Sequence, residues 1–381
     1  MSTIIMGKTT MTQSSSRSCK PALHLLFISV MFCCYKISVA QAVFPAPASL
    51  LQDAKHKEQK SGVSMQGGVL VIQTGVGTPT SINRLSFSAN GDLLAAAKDY
   101  GRVVIFDVKA RSFARAIDTK QGIVQSVAIS PDHKLLAVAG DQENGRIVLW
   151  NIETGKRTTS FDVGAPVVKE LRFLTMDRLF VEENGGPTYI IDLANGRRVF
   201  EAAYEFWPVL SADGSLLITS DYQGFVLRST SDFNIISKLP KPSKNSFPLA
   251  FSQAHNLLIV EDPFSSDGFV ALRLSDGTLL RHEGLVKSLA ANPSAGYFGS
   301  IQESTGIVFG HSDGKLWAWN PTTGRYCSTK TLYSEAGALS PDGVTVASGI
   351  DNGFLSGKFE PTGVLVWNTA DVLRDCGMSS Q

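Results

Sequence analysis

Phe87-Ser88-Ala89-Asn90-Gly91, Ile129-Ser130-Pro131-Asp132-His133, Leu210-Ser211-Ala212-Asp213-Gly214 and Leu339-Ser340-Pro341-Asp342-Gly343 are one phrase written four times. Each copy closes a short apolar strand with Ser-x-Asx-Gly or a near relative, and a Leu-Leu-Ala-like run follows. Weaker copies stand at Phe173–Asp177, Phe251–His255 and Ala290–Ser294. The second residues of the seven copies lie at 88, 130, 174, 211, 252, 291 and 340. A period near forty residues marks units stacked on one another, none of which can bury its apolar surface alone. The repeat is scaffold, so function has to be sought where copies differ.

Within each unit the apolar period is two, and Val, Ile, Leu and Phe dominate, which reads as strands. The second strands are expected at Leu93–Ala97, Leu135–Ala139, Leu179–Glu183, Leu216–Ser220, Leu257–Glu261, Thr305–Gly310 and Val344–Ser348. Third strands follow a Gly or Asp turn, and several end in an aromatic plus Asp or Asn, as in Phe106-Asp107, Trp150-Asn151, Trp319-Asn320 and Trp367-Asn368. Turns such as Glu153-Thr154-Gly155-Lys156 open the fourth strands. Seven units of four antiparallel strands with hardly any helix describe an all-β, seven-bladed β-propeller over residues 68–381. The seventh unit runs out after three strands at Asn368, while Gly68–Gln73 precedes the first unit unassigned. That N-terminal strand is expected to close the last blade, because ring closure removes an exposed sheet edge.

The Ser-Pro-Asp-Gly turns and Trp-Asn strand ends resemble WD-repeat propellers, from about residue 69 to the end. The Gly-His pair that opens such repeats is missing, and only the second, sixth and seventh units keep Trp at the third-strand position. The resemblance implies the propeller fold, and names no partner or pathway.

Residues 1–42 stand apart from the repeat. They contain Lys8, Arg17, Lys20 and Lys36 and no acid, an apolar run Ala22–Tyr35, and small residues at Ala40-Gln41-Ala42. This reads as a signal peptide cleaved near Ala42, sending the chain to the periplasm or outside the cell, with residues 43–67 as a flexible N-terminal linker. A membrane association would arise only if that segment stayed uncleaved. Its removal leaves a formal net charge of −3, so no basic field invites nucleic acid. It also leaves two cysteines, Cys327 and Cys376, in a compartment that permits a disulfide. Two unrelated buried thiols are the alternative. A bridge would join the outer strand of blade six to the end of blade seven and staple the ring near its seam. An exported propeller of this kind suits a bacterial envelope protein.

Catalytic chemistry is poorly represented. The five histidines after residue 42 are scattered, without H-x-x-x-H or C-x-x-C, so no metal site is expected. No G-x-S-x-G elbow or phosphate-cradling loop before a helix occurs, and no cofactor is implied. His133 and His255 occupy the turn position that Gly holds elsewhere. Asp99, Asp141, Asp221, Glu261, Asp313 and Asp351 recur after second strands, where Asp builds the turn into the third strand.

The deviations sit on one rim, formed by the loops between second and third strands and those between blades. There the chain places Tyr204, Phe206 and Trp207 before unit four, Lys244 before unit five, Phe264 within unit five, and Phe354, Lys358 and Phe359 in a long insertion of unit seven. Aromatics with interspersed lysines on loops of a rigid ring are the expected residues of a protein- or glycan-binding face. Capping of the blade tops is the plainer role for the same aromatics. The leading reading is a non-catalytic protein-interaction platform. Two alternatives remain. One is a propeller enzyme resembling lactonases or quinoprotein-dehydrogenase subunits, with Asp99, Arg102, Asp221, Arg228 and Asp313 converging at the channel mouth. The other is a structural component of envelope assembly.

Overall fold

The computed structural model describes residues 62–66, 69–73, 81–142, 145–164, 167–202, 205–262, 268–280, 298–312, 315–330, 336–350 and 363–378. These form seven antiparallel sheets, six of four strands and one of five. Blade one runs from Ile82 to Asp118, blade two from Val124 to Phe161, blade three from Val168 to Ala202 and blade four from Phe206 to Pro240. Blade five begins at Phe247, blade six at Phe298 and blade seven at Gly337. The first strands of successive blades adjoin and surround the axis; the fourth strands face outward.

Strand alternation explains why the second strands read as unbroken apolar runs. In blade two, Leu136 and Val138 pack toward blade one with Val103, Ile105, Val127 and Ile129. Ala137 and Ala139 point the other way, toward Leu171, Val181, Tyr189 and Ile191 of blade three. Successive side chains thus serve opposite interfaces, and both must be apolar. The fourth strand, Arg157–Phe161, touches solvent and is mostly polar. The core of this protein is a ring of inter-blade layers, each of which is lost if either neighbour is lost. Truncating a layer residue such as Leu136 to Ala would cost about 2–5 kcal/mol.

The repeated phrase has a physical function at the turn from first to second strand. Ser130 Oγ accepts the Leu135 backbone N–H at 2.9 Å and donates to Asp132 Oδ1 at 2.7 Å, while Asp132 Oδ1 accepts the Lys134 N–H at 3.1 Å. Ser88 with Asn90, Ser211 with Asp213 and Ser340 with Asp342 repeat the arrangement. The Ser130 hydroxyl holds the Asp132 carboxyl below the usual carboxylate range, with the local backbone N–H groups adding to it. The next residue needs a left-handed backbone: Gly91, Gly214 and Gly343 have φ of 77°, 74° and 71°, and His133 is forced to 61°.

Blade six departs from the expected register. Its first strand is Phe298–Gln302 and its second Ile307–Ser312, so Gln302 occupies the position assigned above to Ala291. Residues 290–294 lie outside the described residues. The turn is unreadable by its phrase because Gln302 replaces Ser; its Oε1 accepts from the Thr305 hydroxyl at 2.6 Å within the turn, while its amide nitrogen reaches out of it. Gln302 Nε2 donates to Gly343 O at 2.7 Å and to Thr369 Oγ1 at 3.0 Å, tying blade six to blade seven.

Closure follows the expectation. Val69–Gln73 pairs antiparallel with Gly363–Asn368, the third strand of blade seven. Gly62–Gln66, placed in the linker by its position, adds a fifth strand outside it. The hint was present: Val63 and Met65 alternate with polar residues, and Gly67-Gly68 is a two-residue hairpin sequence. A helix, Thr369–Asp375, follows the last strand, capped by the Asn368 side chain, which accepts the Ala370 N–H at 2.8 Å. Cys376 at its end is bonded to Cys327 on the fourth strand of blade six, with Cα atoms 5.8 Å apart. Among the described residues no helix is long and apolar enough to cross a membrane.

Candidate functional site

The rim residues converge most closely where blades three, four and five meet the axis. Trp207 is the second residue of blade four's first strand, Phe206–Leu210, and the strand bulges there against its partner. The bulge turns Trp207 to φ 56°, and half of the side chain (50%) remains exposed. A bulky aromatic followed by proline is disfavoured in that region, so its neighbours must hold it. Phe247, at the start of blade five's first strand, stacks on it with centroids 4.7 Å apart and planes at 22°. Lys169, on blade three's first strand, puts its Nζ 5.4 Å from the Trp207 ring centre while pairing with Glu182 at 2.7 Å. Burial pushes the Glu182 carboxyl up from its ordinary range, and Lys169 opposes that shift.

Around this stack lie further aromatics and charges. Phe206 meets the edge of Tyr222 at 6.2 Å, and Tyr222 is 81% exposed. Lys241 stands over Phe225 at 5.7 Å, its pKa lowered by burial against the pull of Asp221. Lys244 is exposed on the link that leads into Phe247. On blade one's first strand, Arg84 reaches past blade two to Glu170 at 2.8 Å and to the Lys169 carbonyl at 3.1 Å. A line of contacts therefore runs from Arg84 through Lys169 and Trp207 to Phe247 along the mouth of the channel.

Of the eight residues expected on this rim, Phe206, Trp207 and Lys244 fall on or beside this patch. Tyr204, Phe264, Phe354, Lys358 and Phe359 lie outside the described residues. Sequence reasoning passed over Tyr100 and Tyr222, exposed on the turns between second and third strands of blades one and four. Tyr100 also carries a left-handed φ, 59°. Their signal was the residue after each turn acid, in Asp99-Tyr100-Gly101 and Asp221-Tyr222-Gln223-Gly224. Lys169, Arg84 and Phe247 had no such signal, since nothing local distinguishes them from other strand residues.

The residues considered for an enzymatic site do other work. Asp99 Oδ1 accepts from Asn83 Nδ2 at 2.9 Å and its Oδ2 from the Ser81 N–H at 3.1 Å. Asp221 Oδ1 accepts the N–H groups of Gln223 and Gly224 at 2.7 and 2.6 Å. Asp221 thus builds its turn as expected, but Asp99 and Asp141, whose Oδ1 accepts the Ile123 N–H at 2.8 Å, depart from that expectation and instead hold the segment that enters the blade's own first strand. Arg228 binds Glu205 and stands 5.7 Å from the Phe200 ring centre at the boundary with blade three. Arg102 is exposed, and Asp313 lies outside the described residues. Among the described residues no three His, Cys, Asp or Glu side chains are grouped to hold a metal.

Known proteins resemble this chain in repeat and in fold. Residues 114–151 match the family described as WD domain, G-beta repeat, a stretch that covers blade one's outer strand and blade two through Trp150-Asn151. The WD repeat-containing protein 26 homolog of Drosophila melanogaster is 26% identical over 61% of this chain and 38% of its own length. The U3 small nucleolar RNA-associated protein 12 of Saccharomyces cerevisiae is 29% identical over 41% of this chain and 17% of its own. The chain thus spans well under half the length of these relatives. In fold it resembles the β-propeller domain of Myceliophteria thermophila Cps50 (Swd1), with a TM-score of 0.54 and 15% identity, covering 82% of this chain and 99% of that one. The chain is a seven-bladed β-propeller with a WD40 repeat at residues 114–151.

Proposed function

We propose that this propeller is a non-catalytic protein-interaction platform that engages its partner through the rim centred on Trp207. The observation that carries the reading is the strained, half-exposed Trp207, held at φ 56° between Phe247 and Lys169. Backbone strain persists only where surroundings over-determine it, and such sites gather at binding surfaces. Exposed Trp and Tyr beside lysines on a rigid frame are the residues that dominate protein interfaces. We also propose that residues 1–42 export the chain, a reading supported by their basic-apolar-small pattern and by the Cys327–Cys376 bond. The relatives found are eukaryotic and lend a bacterial envelope no support.

The test is affinity capture with immobilised wild type, Trp207→Ala and Tyr222→Ala, and Thr323→Ala on the opposite rim as control. Proteins retained by wild type and Thr323→Ala are expected to fall at least about tenfold with Trp207→Ala, the loss typical of an interface anchor. Equal recovery on all four baits would remove this rim from consideration. Amino-terminal sequencing of the mature protein, expected to begin just after Ala42, checks the export reading.

A further inference from the structure

Among the described residues, Glu261 Oε2 is the only carboxylate oxygen that is buried without a hydrogen bond. Glu261 is next to last in blade five's second strand, Leu257–Asp262, and so lies at the rim end of that strand. Its cross-strand neighbours are Phe247 on one side and Phe269 on the other. Only 3% of the residue is exposed, and among the described residues no cation pairs with it. Burial alone raises its pKa, to about 7.

The neighbouring blades treat their rim acids differently. In blade three the next-to-last residue of the second strand, Glu182, has Lys169 at 2.7 Å. Glu205, just ahead of blade four, is held by Arg228 and by the Thr219 hydroxyl. Blade five sets Phe247 opposite Glu261, where blade three sets Glu170 opposite Glu182 with Lys169 beside it. A buried carboxylate without a donor is costly to a fold, and apolar residues of the same shape would remove that cost. Its presence at a rim calls for a donor from outside the described residues.

We infer that Glu261 receives an arginine side chain that the partner inserts beside Phe247 at the rim of blade five. A guanidinium supplies parallel N–H donors to both carboxylate oxygens and can stack on an aromatic face, and it sheds water more easily than an ammonium. The inference deepens the interaction reading and rests on it, since it names the partner's chemistry at that rim.

The probes are three capped pentapeptides, Gly-Ser-X-Ser-Gly with X as Arg, Lys or Gln, titrated calorimetrically into the full chain at pH 8. The arginine peptide is expected to bind at least about tenfold more tightly than the glutamine peptide, and Glu261→Gln to remove that difference; tenfold is the scale of one charge-assisted hydrogen bond. Glu261→Gln deletes a buried charge without changing shape, so it is expected to fold, and an unchanged circular dichroism spectrum verifies this. Equal affinity for the arginine and glutamine peptides, including no measurable binding of either, overturns the inference. So does a lysine peptide that matches arginine, or a Glu261→Gln variant that keeps the preference. Partner capture lost in Trp207→Ala but untouched in Glu261→Gln would leave the rim reading standing and remove this one alone.

Discussion

Trp207 and Phe247 stack across the boundary between blades four and five, their ring centroids 4.7 Å apart and their planes 22° from parallel. Each comes from a first strand at the channel mouth, so the stack couples two blades at the surface proposed for binding. The relationship accounts for the strain at Trp207: the ring is held where its backbone would not otherwise place it. A double-mutant cycle of Trp207→Ala and Phe247→Ala in urea unfolding is expected to give a coupling of about 0.5–1.5 kcal/mol, the usual worth of an aromatic pair. Additive losses would show that the stack is incidental.

The Cys327–Cys376 bond fastens the helix Thr369–Asp375 to blade six, while Val372, Leu373 and Met378 fill the layer between blades six and seven with Ile307, Phe309 and Trp367. Cys376→Ser, or reduction of the native chain, is expected to lower stability by about 2–4 kcal/mol, read from the guanidinium midpoint with and without reductant. A thiol titration of the unfolded, unreduced chain is expected to find Cys327 and Cys376 unreactive.

Glu261 makes stability depend on pH. Its folded pKa is raised to about 7 from an ordinary 4.5, so the folded state holds the proton more tightly than the unfolded chain does. Stability from this group is therefore full below about pH 4.5 and is lost as pH rises through 7. Glu261→Gln is expected to match wild type near pH 4 and to be more stable at pH 8 by on the order of 3 kcal/mol, seen as a higher melting temperature. Identical pH profiles of the two proteins would mean that the carboxylate is satisfied in solution.

His133 occupies a left-handed turn position, φ 61°, that Gly fills in three sister turns. His133→Gly is expected to stabilise the fold by about 0.5–1 kcal/mol, because the relief of left-handed strain exceeds the extra freedom glycine has when unfolded. The reverse change, Gly343→His, is expected to destabilise; there an added Cβ would also meet the Gln302 side chain at 2.8 Å. Melting curves of both variants settle the sign.

Most strand positions, the Ser-Asp turns and the closing strand were legible in the residues themselves, because each depends on a local pattern; the first strand of blade six and the outermost strand Gly62–Gln66 were not. Alternation sets which side chains enter an inter-blade layer, and Ser130 to Asp132 to Leu135 is a loop closed within five residues. Legibility failed where a local pattern was replaced by a distant partner. Gln302 replaces the Ser of its turn and adds contacts to Gly343 and Thr369, more than forty positions away, which no local pattern announces. Phe206, Trp207 and Lys244 could be singled out as deviations from the repeat, yet their neighbours could not.

The repeat by itself determined seven blades, their strands and the seam where the chain closes on its own start, since period-two patterning and turn chemistry are properties of adjacent residues. Only the tertiary structure decided that Arg84, Lys169, Trp207 and Phe247 meet in one line, and that among the described residues Glu182 finds a lysine while Glu261 finds none. Arg84, Lys169, Trp207 and Phe247 belong to four different blades and meet only when the ring closes, whereas the Lys169–Glu182 pair forms between neighbouring strands of blade three, so closure decides the line and strand pairing decides the charge balance.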